Sequence, residues 1–395
     1  MISQINQSAL NIFDKFGYPT KKNENWKYTN LKKFQNQNFI TSSNFTISNL
    51  SGMNLTNSIN LTMINGKPII NENNNNLCIQ SISDLINSKK DKKLSFDIKK
   101  KHYKNPFLVL NTANFKDGFY ITIPKMSQPE SFIYLLSISD DKEDLISSYP
   151  RLHLDLEDDA YLNIIHHHVG NKKQSYHRNN VSIINSSKGS KLKYYNIYEE
   201  SNSSFSMNNL LINQESNSKV EINNFFLDSG FMRSDVESNL NGKEAFFSMN
   251  GLFLGKQQQF IDNNIIVNHN VQETDSKVIY KGILNDHSHG VFNSLVNVPQ
   301  FSKRINSDQK NHNIVLSNTA KINSNPKLKI SCDDVKCSHG STTGNLDKEA
   351  LFYLQSRGVN IKRAKEILLD SFLDEIINNI INVELKNYIE GKVSY

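Results

Sequence analysis

Cysteine is scarce in this chain of 395 residues: Cys78, Cys332 and Cys337 are the whole set, and no two stand in Cys-x-x-Cys spacing. So few thiols build no disulfide framework, which points to a reducing compartment and makes cytoplasmic residence the default expectation. Long hydrophobic runs are missing too. No stretch approaches the ~20 apolar residues of a membrane-spanning helix, and Met1 to Leu10 lacks the charged start and apolar centre of a secretion signal. Arginine is equally sparse, with 6 among 45 basic residues, and the lysines are scattered among 39 acids. The net charge of +6 therefore makes no concentrated arginine-rich face, and neither nucleic acid nor membrane is expected as a partner. Gly340-Ser341-Thr342-Thr343-Gly344 lacks the Gly-Lys-Ser/Thr ending of a phosphate loop. No Ser-His-Asp set and no carboxylate pair can be placed, so the chain is not expected to be an enzyme.

What is present is globular, at 37% hydrophobic residues and a mean hydropathy of −0.52, and long enough for two or three domains. Ser3 to Phe16 carries Ile5, Ala9, Ile12, Phe13 and Phe16 at helical spacing, with Gly17 and Pro19 as a stop. Asn65-Gly66-Lys67-Pro68 reads as a turn, and Asn71 to Asn76 as a loop with no core-forming capacity. Residues 1–105 are expected to be a helical, mixed N-terminal region. From about Phe107 to Ile330 short strands take over. Lys191 to Tyr198, Lys219 to Leu227, Glu244 to Leu254, Lys277 to Leu284 and Ala320 to Ile330 resemble one another, recurring every ~25–30 residues. One such unit cannot bury its apolar face alone, whereas stacked units share a continuous core. The expected fold class is mainly β, a parallel β-helix over 106–345 flanked by N-terminal and C-terminal helical regions. A sandwich would need more hairpin turns than the Asn-Gly pairs at 241–242 and 250–251.

The tail, 346–395, reads as helical. Leu346 and Leu351 bracket an Asp347 N-cap, Gly358 stops that helix, and Asn360 caps a second one. Its apolar positions Ile361, Ala364, Leu368, Phe372, Ile376 and Ile380 are widened by Leu369, Leu373 and Ile377. So broad a stripe suits a bundle interior or a partner surface, and helices capping the open end of the β-helix are the plainer expectation.

Three groups could carry chemistry. In an extended segment Cys337 and His339 share a face, and thiolate with imidazole makes a soft-metal pair, though two ligands are too few to hold a metal alone. A thiol there also suits a small buried hydrophobe. His166-His167-His168 puts two imidazoles on one face without a third ligand nearby, so exposed histidines are expected. His287-Ser288-His289, after Asp286, reads as a solvated turn.

Asp333-Asp334-Val335-Lys336-Cys337-Ser338-His339-Gly340, followed by Leu351-Phe352-Tyr353-Leu354-Gln355-Ser356-Arg357-Gly358, resembles the C-terminal signature of the SufB/SufD family, subunits of the SufBCD iron–sulfur cluster assembly complex. Glu24-Asn25-Trp26-Lys27-Tyr28-Thr29, Asn111-Thr112-Ala113, Asp117-Gly118, Ile123-Pro124-Lys125, Pro150-Arg151, Tyr280-Lys281-Gly282, Val291-Phe292-Asn293, Ser317-Asn318 and Pro326 continue the likeness in the family's order, over most of the chain. SufB members usually carry a Cys-x-x-Cys cluster and a Glu-His-Glu element where this chain has Cys337-Ser338-His339, so the resemblance is to the SufD branch. It implies a right-handed β-helix between helical ends, and a non-catalytic scaffold paired with a SufB-like subunit and a SufC-like ABC ATPase. It implies His339, with Cys337 at the same interface in a less defined role, beside a transient iron–sulfur cluster shared with the SufB-like partner. Leu368, Phe372 and Ile376 are then expected to help dock the ATPase. A homodimer of the isolated chain and a flavin on the whole complex fit the resemblance, but no flavin site can be assigned. A SufB-like scaffold is the alternative within the family. Outside it stand a β-helix carbohydrate-active enzyme, which would need acids or arginines in a groove where these repeats show Asn, Ser and Lys, and a secreted adhesin-like solenoid.

Overall fold

Alternate residues along the central strands point inward, and the large apolar ones among them meet in one long core. Leu162 and Ile164, Leu192 and Tyr194, and Val220 and Ile222 are successive layers of it, each buried. The computed structural model describes residues 2–42, 50–70, 77–88 and 99–393, and the expected loop at Asn71 to Asn76 lies outside them. The chain winds as a parallel β-solenoid of about 8 turns, with helices at both ends of the sequence. Consecutive strands alternate between two sheets and pair in parallel one coil further on. From Tyr161 onward paired residues lie 26 to 32 positions apart, the closest being Phe205–Phe231 and the most distant His289–Lys321. This spacing is the recurrence visible in the sequence.

The corners are built from left-handed backbone. Asp159, Asn217, Glu244, Glu273 and Arg304 have φ of 55–61°, and Gly189 takes the same place with φ 68°. Each donates its N–H to a carbonyl of the next coil, as Asn217 does to Lys243 and Glu244 to Glu273. At Gly189 a Cβ would lie 2.1 Å from Asp159 Oδ1, so this corner admits only glycine without a shift. Asn65-Gly66 is a turn as expected: both residues have positive φ, and they join Ser58–Ile64 to Lys67–Ile69 in an antiparallel hairpin. Ser58–Ile64 also pairs in parallel with Phe132–Ser139, so the N-terminal region adds a strand to the solenoid sheet.

The helix Ile2–Phe16 packs against Pro106–Asn114, whose first turn is capped by Asn105 through Leu108 N–H. Between them Trp26, Leu31, Phe34 and Phe107 form a cluster seated on Met207 of the solenoid. Arg233 fastens this segment. Its guanidinium lies 3.8 Å from the Trp26 ring centroid, pairs with Asp235 and Asp262, and donates to the Asn25 carbonyl at 3.0 Å. The Trp-Lys-Tyr-Thr element is thus the part of the N-terminal region that locks onto the coil surface.

The C-terminal helices are Lys348–Ser356, Ile361–Ile377 and Val383–Val393. Asp347 accepts from the N–H groups of Glu349 and Ala350, Asn360 from that of Arg363, and Gly358 has φ 87°, as the capping pattern requires. Their position differs from the expected end cap. Leu369, Leu373, Ile376, Ile380, Leu385 and Ile389 pack against Ile165, Tyr195, Ile197, Phe225, Leu252 and Ile283, the outward side chains of one sheet. That face is apolar on its outer side as well, and the wide stripe covers it lengthwise. None of the described helices is long and apolar enough to cross a membrane.

Candidate functional site

With the helices laid along a flank, no described strand or helix pairs with the edge of the last coil. Lys321–Ile330 and Val335–Gly344 each pair with one neighbour and leave their other edge free. Register settles which side chains face the opening. Ile164, Tyr194, Ile222, Met249 and Val278 form one interior column, which continues through Gln309 and ends at His339. The adjacent column runs Leu162, Leu192, Val220, Phe247, Ser276, Ser307 and ends at Cys337. Both residues therefore point into the mouth of the solenoid, on one face as their spacing predicts. These two columns turn polar on approach, at Ser276, Ser307 and Gln309, and Asn311 and Asn313 beside them in the penultimate coil are buried as well. They bond among themselves and across the lumen, Gln309 to the Lys327 carbonyl at 3.1 Å and Ser276 to Ser307 at 2.8 Å.

Cys337 and His339 differ in setting. Cys337 is half-buried against the end of the main core, together with Cys332. Burial pushes its thiol up, and the Ser307 backbone N–H offsets this only in part, so Cys337 is a protonated thiol at neutral pH. His339 is exposed at the mouth. Among the described residues no group of three or more His, Cys, Asp or Glu side chains converges as a metal site. The pair is thus at most part of a coordination sphere that a second molecule would complete. Around the rim, Ser338 donates to Asp308 at 2.6 Å, His312 Nδ1 contacts Thr342 Oγ1 at 2.7 Å, and Ser341 ties this strand to Ser324 at 2.8 Å.

The His166-His167-His168 run is not exposed, contrary to expectation: all three side chains are buried. His166 and His168 face inward, with ring centroids 3.8 Å apart, and meet Tyr194 OH and Arg178 Nη1 at 2.7 and 2.6 Å. Arg178 pairs with a fully buried Glu200, which also accepts from Tyr176. The strand holds these groups inside because both faces of its sheet are covered, and their partners stand on the strands that follow, Arg178 on the next and Tyr194 on the one after. His167 faces outward under the last helix and contacts Tyr134 OH at 2.9 Å and Glu199 at 2.8 Å. Burial alone would raise the Glu199 carboxyl, yet hydrogen bonds from His167, Lys392 and Tyr388 bring it down to about 2. His287 lies in the expected turn and is exposed, while His289 opens the next strand and bonds Asn323 at 2.7 Å.

The three expected docking residues separate. Ile376 is fully buried in the chain's own core, because its face of the helix meets the sheet, so it is withdrawn from the docking set. Leu368 and Phe372 are half-buried. Phe372 is held by Lys281, whose ammonium lies 5.0 Å from the ring centroid, donates to the Phe372 carbonyl at 2.7 Å and pairs with Glu375 at 2.8 Å. Phe352 and Tyr353, outside the expected docking set, are 73% and 57% exposed on the preceding helix. The signal was available: two aromatic residues adjacent on a short helix cannot both face one side.

Comparison with known proteins agrees with this geometry. Residues 137–372 match the family described as "SUF system FeS cluster assembly, SufBD core domain", and residues 1–135 match "SufBD protein N-terminal region". The chain is 26% identical to the iron–sulfur cluster assembly protein SufD of Escherichia coli, over 98% of this chain and 91% of that one. It is 26% identical to an iron–sulfur cluster assembly SufBD family protein of Synechocystis, over 98% and 89% of the two chains. A shorter likeness, 25% identity over 42% of this chain and 39% of the relative, joins it to SufD of Bacillus subtilis. Placed beside an uncapped parallel solenoid whose mouth displays a thiol and an imidazole, these matches lead to one conclusion: the chain belongs to the SufBD family of iron–sulfur cluster assembly proteins.

Proposed function

We propose that this chain is a non-catalytic scaffold subunit of the SufD type, joined at the mouth of its solenoid to a SufB-like chain. The nascent cluster is cargo, held between His339 of this chain and ligands of the partner, and Cys337 lines the same seam as a mainly packing residue. A SufC-like ABC ATPase docks on the C-terminal helices through the outer surface that includes Leu368. One observation carries the reading: the two interior columns that end at Cys337 and His339 turn from apolar to polar toward a strand edge with which no described strand pairs. A solenoid end left open exposes unpaired strand edges, which aggregate unless a partner occupies them. The test is anaerobic reconstitution of the purified complex, reading iron and sulfide content together with charge-transfer absorption. His339→Ala should leave the complex assembled, because one exposed side chain contributes little to a large interface, and should lower cluster content severalfold. Cys337→Ser should be milder, and Lys188→Gln, far from the mouth, should match wild type. Full loading of the His339→Ala complex would remove the histidine from the ligand set.

A further inference from the structure

A cleft of about 530 Å³ lies between the last complete coils and the first turns of the helices Lys348–Ser356 and Ile361–Ile377. Its volume falls within the ~300–1,000 Å³ of small-molecule sites. Leu316, Leu346, Leu351 and Leu369 supply an apolar floor, Leu369 fully buried and the others half-buried. Lys348, Lys362 and Lys365 stand on its walls. Among the described residues Glu366 is the one acid lining it, and that carboxylate is engaged by Arg363 at 3.1 Å and Lys362 at 3.9 Å. Lys348 and Lys365 make no ion pair among the described residues, and each is exposed. Apolar floor and cationic rim are two halves of one recognition pattern.

We infer that this cleft is a binding site for a small amphipathic anion, a molecule with an aliphatic or aromatic body and a carboxylate, sulfonate or phosphate head. The body lies on the leucine floor, and the head sits between Lys348 and Lys365. The inference is independent of the ATPase reading, since the cleft is walled by this chain alone.

Calorimetric titration of the full chain with dodecanoate, below its micellar concentration and at low salt, tests it. One equivalent should bind, and each methylene removed from the ligand should weaken binding roughly fourfold. The Lys348→Gln/Lys365→Gln variant should bind at least ~10-fold more weakly with an unchanged unfolding midpoint, because both side chains are exposed, while Lys188→Gln should bind as wild type. Anilinonaphthalene sulfonate should compete for the same site and fluoresce. Inorganic phosphate, carrying the head alone, should bind far more weakly. Equal affinity for dodecyltrimethylammonium, equal affinity for phosphate, or a double variant as tight as wild type would each overturn the assignment. A cleft that rejects dodecanoate but whose lysines become protected from acylation when the ATPase binds would be a protein-docking surface instead, which also overturns it.

Discussion

Single residues in this protein are decided by burial more than by their own chemistry. His153, His166, His168, His177 and His269 are buried, and burial holds each imidazole below its ordinary range, His269 at about 4 and His177 at about 3. In an unfolded chain they titrate near ~6.5. Below that pH the unfolded state takes up protons that the folded state refuses. Stability is therefore complete above ~6.5 and is lost as pH falls from there toward the folded-state values of these groups. Glu199, lowered to about 2, acts in the same direction but only below the ordinary glutamate range, its contribution being lost as pH falls toward 2. Urea midpoints should be level from pH 8 to 7 and should fall steadily from 6.5 to 4.5. The His166→Gln/His168→Gln variant should show a shallower fall over that window, whatever its stability at pH 8. A wild-type profile flat from 6.5 to 4.5 would contradict this account.

At the scale of elements, two packing surfaces compete for attention: the lumen and the flank. The lumen is tight. Gly251 stands beside Tyr280 in an interior column, and a Cβ there would lie 2.1 Å from the Tyr280 ring. Gly251→Ala should cost roughly 1–3 kcal/mol through overpacking, whereas Gly340→Ala on the open strand, with nothing within 4 Å, should leave the melting temperature within a degree or two. The flank explains why removing the tail is a poor test of docking. Deletion after Gly358 would bare Ile165, Tyr195, Phe225 and Leu252, the sheet face that Leu373 and Ile376 now cover. Point changes separate the roles. Ile376→Ala should destabilise by about 2–5 kcal/mol and make the helices protease-sensitive. Phe352→Asp should leave unfolding unchanged within ~0.5 kcal/mol and weaken co-purification with the ATPase. Retention of full ATPase binding by Phe352→Asp together with Leu368→Asp would move the docking surface elsewhere.

For the whole molecule the governing feature is asymmetry between the two ends of the solenoid. The first coils are extended by Ser58–Ile64 and closed by the hairpin to Lys67–Ile69, while no described strand pairs with the outer edge of the last coil. An uncovered parallel edge is a template for another chain. Ile330 lies on that edge, 38% exposed. Ile330→Asp should leave the isolated chain folded, as judged by its melting temperature, and lower the yield of complex with the SufB-like chain in co-expression. It should also reduce any self-association seen by sedimentation, because the same edge would serve both. Normal heteromeric yield from Ile330→Asp, and likewise from Lys327→Asp on the same strand, would place the partner on another surface.

Sequence alone was enough for the repeat and for the parity of each strand. Lys191 to Tyr198 and Lys219 to Leu227 alternate with period two and recur at the coil length, so the stacking and the shared face of Cys337 and His339 are legible in the sequence. Caps were equally local: Asp347, Asn360, Gly358 and Asn65-Gly66 act within a few residues of themselves, and all four sit where their chemistry predicts. What lay beyond reach is what depends on the second face of a strand. The sequence predicts exposed His166 and His168 because their flanks, Asn163 to Ile165 and Val169-Gly170, offer no further ligand. Their partners Tyr194 and Arg178 are brought by neighbouring strands of the coil, and Glu200 reaches Arg178 from across a turn. Ile376 counts as a docking residue from sequence because an amphipathic helix does not announce what its apolar stripe will meet. Only the folded chain decided that this stripe covers a flank, and that choice is what leaves the end with Cys337 and His339 open.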